Sequence, residues 1–138
     1  GAQNRGELTQ NSRLILDRLG RELRQARAIA TALPANQIEF EDGHASTLQY
    51  GRYYTSGSDL KRQTREYYFP DAPSLLAPFN AADDFGNPPQ VRIVADELVG
   101  QYLQSINFSG EDLMTIELTL YKSPVRQTSR TAVYGRNF

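Results

Sequence analysis

Residues 8–33 read LTQNSRLILDRLGRELRQARAIATAL, with apolar side chains three or four positions apart. At about 100° per residue, an α-helix gathers these side chains on one face and the arginines on the other. The apolar face holds Leu8, Ile15, Leu16, Leu19, Leu23, Ala26, Ile29, Ala30 and Leu33, and the opposite face holds Arg13, Arg18, Arg21, Arg24 and Arg27. A stripe this wide is typical of a helix that packs on a larger surface. Pro34 should end the helix, because proline disfavours helix at the residue before it.

After Pro34 the apolar residues follow a period of two, which is typical of half-buried strands. The predicted strands cover residues 37–41, 46–55, 60–69, 91–94, 102–109 and 113–121, separated by turn residues such as Asp42 and Gly43. The clearest alternation puts Met114, Ile116, Leu118 and Leu120 on one face of the last strand. The tail from Pro124 is polar as far as Ala132.

The predicted organisation is a single α+β domain, in which a long amphipathic helix packs on an antiparallel sheet. Residues 1–7 read as an unstructured end, residues 8–33 as the helix and residues 37–138 as the sheet region. Residues 70–90 contain five of the chain's seven prolines, which are disfavoured in central strands, so they predict a long surface loop.

The composition gives little support to enzymatic chemistry. The chain has 138 residues, a net charge of -1, no cysteine and one histidine, His44, beside the predicted Asp42-Gly43 turn. It lacks a Gly-x-Ser-x-Gly motif and any recognisable pairing of a nucleophile with a base. We therefore predict no catalytic residues, no enzymatic activity and no cofactor.

One acidic segment is a candidate cation site. Asp83, Asp84 and Asn87 carry hard oxygen ligands beside Gly86, as a calcium loop would. The spacing does not match the alternating carboxylates and final glutamate of an EF-hand. A solvated polar loop is the alternative and the preferred interpretation, so no metal is predicted.

The arginine face of the helix is a candidate partner-binding surface. Leu14 falls among Arg13, Arg18 and Arg21, away from the apolar stripe. Nucleic acid is one conceivable partner for such an arc, but the net charge of -1 and the nearby Asp17 argue against it. The sequence favours a contact with another protein through Leu14 and these arginines.

Several segments, in their order along the chain, together resemble a known family. They are Ile15–Ala26 (ILDRLGRELRQA), Ile38–Gly43 (IEFEDG), Leu48–Tyr50 (LQY), Asp59–Arg62 (DLKR), the span 98–120 with INFSG at 106–110, and the closing VYGRN at 133–137. In this pattern the chain is similar to type IV pilin-like proteins, in particular minor pilins and pseudopilins of the J and W types.

The resemblance implies a non-enzymatic subunit that helps to assemble or prime a type IV pilus or a type II secretion filament. Its partners would be other pilin or pseudopilin subunits. Family members carry a prepilin cleavage site and an apolar helix half that anchors them in the inner membrane, and this sequence contains neither. The expectation is therefore a domain of a longer, inner-membrane-anchored protein, exposed to the periplasm or the cell exterior.

A different class of function stays open at this point. Tyr53, Tyr54, Tyr67 and Tyr68 could line a sugar- or peptide-binding groove of a stand-alone α+β ligand-binding module. Cross-strand packing is the simpler explanation for these tyrosines.

Overall fold

The first element is an amphipathic helix. The computed structural model describes the backbone of residues 2–135 and the side chains of residues 4–135. Helix α1 (Ala2–Gln25) buries Leu8, Ile15, Leu19 and Leu23, as the spacing predicts. It begins before the predicted start at Leu8, within the end expected to be unstructured, and it stops well short of Leu33.

The chain after Gln25 leaves the helix because its backbone pairs with a strand. Arg27 N–H donates to the Glu41 carbonyl at 3.0 Å, and Ala30 N–H donates to the Glu39 carbonyl at 2.8 Å. The Thr31 hydroxyl also accepts a hydrogen bond from Glu39 N–H at 2.8 Å. These bonds replace the helical ones that the apolar spacing of residues 26–33 had suggested.

The predicted fold class, an α+β domain with a long helix over one antiparallel sheet, is therefore wrong. The described residues form a mostly β structure with one helix of 24 residues and nine strands in two antiparallel sheets. Periodicity identified the helical face, but it did not reveal how much of the chain pairs as strands.

The first sheet has six strands in the order β1-β2-β3-β4-β5, with β6 added to β4. Because Tyr67 of β4 pairs with both Ala77 and Val91, β5 and β6 lie on opposite edges of β4. The bounds are β1 (Ala28–Ile29), β2 (Ile38–Glu41), β3 (Tyr50–Ser56), β4 (Asp59–Phe69), β5 (Ala72–Ala77) and β6 (Gln90–Gly100).

The second sheet is a three-stranded meander of β7 (Leu103–Ser109), β8 (Leu113–Lys122) and β9 (Val125–Tyr134). The predicted apolar face of β8, from Met114 to Leu120, is fully buried against the helix and its surroundings. β9 forms where the sequence predicted a polar tail, because its backbone pairs with all of β8.

Two further sequence predictions need correction. The predicted loop 70–90 contains β5, an edge strand, and an edge position tolerates Pro73. The predicted strand 91–94 is the first part of β6, which continues to Gly100. The final Arg136 and Asn137 of the family-like ending lie outside the described residues.

Helix α1 joins the two sheets. Its Ile15 side chain packs on Gly100 of β6, and its Glu7 carboxylate accepts a bond from Lys122 of β8 at 2.8 Å. The Thr9 hydroxyl bonds Gln127 of β9 at 2.8 Å. One hydrophobic core therefore contains residues from the helix and from both sheets. Within residues 2–135 there is no helix whose length and hydropathy would let it span a bilayer.

Candidate protein-binding surface

A half-buried polar cluster fixes the helix on the first sheet. Arg62 of β4 donates hydrogen bonds to both carboxylate oxygens of Glu22 of α1, from Nε at 3.0 and 3.2 Å and from Nη2 at 2.7 Å. The Tyr53 hydroxyl donates to the same carboxylate, and Asp42 lies 3.6 Å from the Arg62 guanidinium. This cluster positions α1, because Glu22 of the helix accepts hydrogen bonds from Tyr53 of β3 and Arg62 of β4.

The contacts within this cluster also set the protonation states of Glu22 and Tyr53. Burial by itself would raise the pKa of Glu22, but hydrogen bonds from Arg62 and Tyr53, with the charges of Arg62 and Arg18, hold it below its ordinary value. Burial, followed by the Glu22 charge, raises the pKa of the Tyr53 phenol. Glu22 therefore stays ionised and Tyr53 stays neutral at neutral pH, which suits a structural ion pair.

The four residues predicted to bind a partner divide into two groups. Leu14 is 62% exposed, and Arg13 and Arg21 are also exposed. No described carboxylate lies within ion-pair distance of Arg13 or Arg21. Arg18 differs, because its guanidinium binds Glu97 of β6 at 2.5 Å and Glu22 at 3.3 Å. Arg18 therefore ties the helix to β6, whereas Arg13 and Arg21 have no ion-pair partner among the described residues.

Leu14 lines a groove between the helix and the end of β6. The groove has a volume of about 220 Å³, and we call it the Leu14 groove. It is lined by Asn11, Leu14, Ile15, Leu98, Val99, Gly100 and Gln101. Leu98 is 51% exposed. Residues of the helix, among them the exposed Leu14, and residues at the end of β6 therefore form one concave surface.

The rest of β6 extends this surface, and sequence reasoning missed it. All of its residues from Gln90 to Leu98 are exposed. One edge pairs with β4, and its other edge has no backbone hydrogen bond to any described strand. The exposed apolar residues of β6 are Val91, Ile93, Val94 and Leu98. The valine and isoleucine residues at 91, 93, 94 and 99, with no glycine or proline between 91 and 99, were the signal for one long strand.

The other candidate residues make mainly local contacts. Asp83 Oδ1 accepts hydrogen bonds from the backbone of Phe85 at 2.9 Å and of Asn87 at 2.8 Å. The hydrogen bond from the Asn87 backbone lowers the pKa of Asp83. Slight desolvation opposes this shift, and the hydrogen bond from the Phe85 backbone adds to it. Asp84 is exposed and His44 is an exposed loop residue. No group of three potential ligands occurs among the described side chains.

The four tyrosines do not share a surface. Tyr53 is fully buried and bonds Glu22 of the helix, whereas its neighbour Tyr54 points to the opposite face and bonds Asp96 at 2.7 Å. Tyr67 stacks edge-on against Tyr50, and the Arg92 guanidinium covers Tyr68. The structure therefore places neither Tyr53 with Tyr54 nor Tyr67 with Tyr68 on one surface.

Comparisons of the chain with protein-family models, with curated proteins and with solved structures found no match. The chemistry of the exposed surface is therefore the basis for assigning a function.

Proposed function

We propose that the chain is a minor pilin or pseudopilin subunit, which helps to assemble or prime a type IV pilus or a type II secretion filament. Its role is binding to other subunits and not catalysis. The full-length protein is anchored in the inner membrane by a segment upstream of this sequence, and the domain faces the periplasm or the cell exterior.

The Leu14 groove is the observation that carries the proposal. Leu14, exposed by 62% at this groove, provides apolar surface that a partner would desolvate. Arg13 and Arg21, on the same helix, would attract a partner with an acidic surface and speed its association. The family resemblance supplies the kind of partner, because in a pilin-like filament this helix would face neighbouring subunits.

The ligand-binding alternative is not favoured by the geometry. A tyrosine-lined groove requires several of the four tyrosines on one accessible surface. Tyr53 lies in the core and the Tyr67 hydroxyl bonds Glu39, so these two side chains take part in internal packing.

Gene deletion with complementation tests the proposed function. In the organism of origin, deletion should reduce surface filaments or type II-dependent secretion, and the wild-type gene should restore them. Leu14→Asp should fail to restore them at equal protein level, whereas Leu75→Asp should succeed. Leu75 is a matched control because it is 70% exposed on β5, whose pairing is at the far end of β4. Normal filaments and normal secretion in the deletion strain would refute the proposal.

A further inference from the structure

We propose that β6 pairs with β6 of a second copy of this chain, which joins two six-stranded sheets across a two-fold axis. The feature behind the proposal is the free edge of β6 along its 11 residues. Unpaired backbone groups at such an edge can bond to another strand. This inference goes beyond the proposed function, since the dimer requires no other subunit.

The pairing with β4 defines which β6 side chains share a face. Arg62 opposes Glu97, Thr64 opposes Ala95 and Glu66 opposes Arg92, and this face carries the helix. Lys61 opposes Leu98, Gln63 opposes Asp96 and Tyr67 opposes Val91, on the outer face. Val94 and Val99 have no partner residue on β4, because β6 has a register shift at each of them. Beyond each shift, the β6 positions that face the helix are displaced by one residue.

An antiparallel register of β6 with itself keeps the faces aligned and also sets unlike charges opposite one another. It places Arg92 opposite Glu97 of the second copy and Val91 opposite Leu98, with the two-fold axis between Val94 and Ala95. Moving the register by one residue would set helix-side residues against outer-face residues, such as Arg92 against Asp96. By symmetry each favourable pair occurs twice.

This register produces a row of alternating charges. On the helix side, Glu66 of β4 already pairs with Arg92 of β6 at 3.1 Å. In the dimer the row continues to Glu97 and then to Arg62 of the second copy, so signs alternate across four strands. Such a network favours this register over others.

The contacts of each helix with its own β6 lie in the second half of that strand. α1 contacts β6 near its end, through Glu97 and Gly100. An antiparallel arrangement places the two helices at opposite ends of the paired strands, away from the axis between Val94 and Ala95.

Cysteine crosslinking tests the register directly, because the chain has no cysteine of its own. Directly opposed residues have Cα atoms about 4.5–5.5 Å apart, within the range that a disulfide bridges. Mixing Val91→Cys with Leu98→Cys protein should give a disulfide-linked dimer under mild oxidation, and either variant alone should give little. Equal crosslinking in the mixed and unmixed samples would overturn the proposed register.

Charge exchange tests the dimer without crosslinking. Sedimentation of the wild-type chain, from micromolar to millimolar concentration, should show a monomer–dimer equilibrium. Arg92→Glu and Glu97→Arg should each weaken dimerisation at least about tenfold, because each places like charges opposite one another across the two-fold axis. Arg130→Glu, on the exposed edge strand β9, is the matched control and should have no effect. A monomer throughout the range, or a dimer that none of these variants weakens, would overturn the proposal.

Discussion

At the scale of single residues, Arg62 depends on a glycine in the neighbouring strand. Gly51 lies opposite Thr64, and a Cβ built there would be 2.6 Å from the Phe40 ring and 2.7 Å from Arg62 Nη2. The guanidinium and the ring occupy the space that a side chain would need. The sequence alone did not identify this requirement, because Gly51 sits within a predicted strand and lacks a turn signal.

We expect Gly51→Ala to lower the free energy of unfolding by about 1–3 kcal/mol, as overpacking of a filled core does. Urea denaturation measures the loss. Gly20→Ala is the matched control, because its Cβ would have ordinary contacts of 3.8–3.9 Å and alanine favours helix. A Gly51→Ala variant as stable as the control would show that Arg62 and Phe40 shift at no cost.

Glu22 should make stability depend on pH. Its pKa in the folded state lies below the ordinary value of 4.5, so its stabilising effect is full above that value and is lost as the pH falls through the folded-state pKa. We expect Glu22→Gln to cost about 1.5–3 kcal/mol at pH 7, since a charged acceptor is lost. Urea denaturation from pH 7 to pH 3 should show the difference shrinking toward acid.

Glu117→Gln is the control for that series, because Glu117 pairs with Arg130 at an exposed site where ion pairs contribute little. If Glu22→Gln and Glu117→Gln change the free energy of unfolding equally at every pH, the hydrogen bonds that Arg62 and Tyr53 donate to Glu22 do not hold the helix on the sheet.

At the scale of elements, the helix shows what periodicity can and cannot predict. Spacing identified the buried stripe from Leu8 to Leu23, because that pattern is local. It failed at Gln25, because the pairing of residues 27–30 with β2 depends on a strand that follows later in the chain. β9 was missed for a similar reason. Its exposed residues alternate with half-buried ones that are themselves mostly polar, and its backbone hydrogen bonds come from β8.

An introduced carboxylate should lower the stability of the domain on the buried face of α1 but not on its exposed face. Leu19→Asp places a charge in the core, and we expect a loss of about 3 kcal/mol or more, enough to unfold a marginal domain. Leu14→Asp should leave the melting temperature nearly unchanged. Circular-dichroism melts measure both. An unchanged melt for Leu19→Asp would mean that the stripe is not core.

At the scale of the whole molecule, the candidate surface could be predicted only in part. Leu14, Arg13 and Arg21 follow from helical geometry, and the structure places them on the exposed side of α1. Arg18 was grouped with them, but Glu97 comes from a strand 79 positions away and engages it. The Leu14 groove itself could not be predicted, because it exists only where the helix meets β6.

Charge on the helix should affect association rate more than affinity. Replacing Arg13 and Arg21 by glutamate should slow binding to an acidic filament subunit and flatten its dependence on salt, with a smaller effect on dissociation. Stopped-flow mixing at several ionic strengths measures these rates. Association that is unchanged at low salt would show that these arginines are merely solvated.

The most direct test of the account is the binding of this chain to the purified soluble domains of the pilin-like subunits from the same organism, measured by isothermal titration calorimetry. We predict that at least one subunit binds, that Leu14→Asp weakens this binding tenfold or more at an unchanged melting temperature, and that Leu75→Asp leaves it intact. Binding of equal strength by all three proteins would contradict the assignment of the Leu14 groove as the subunit-binding surface.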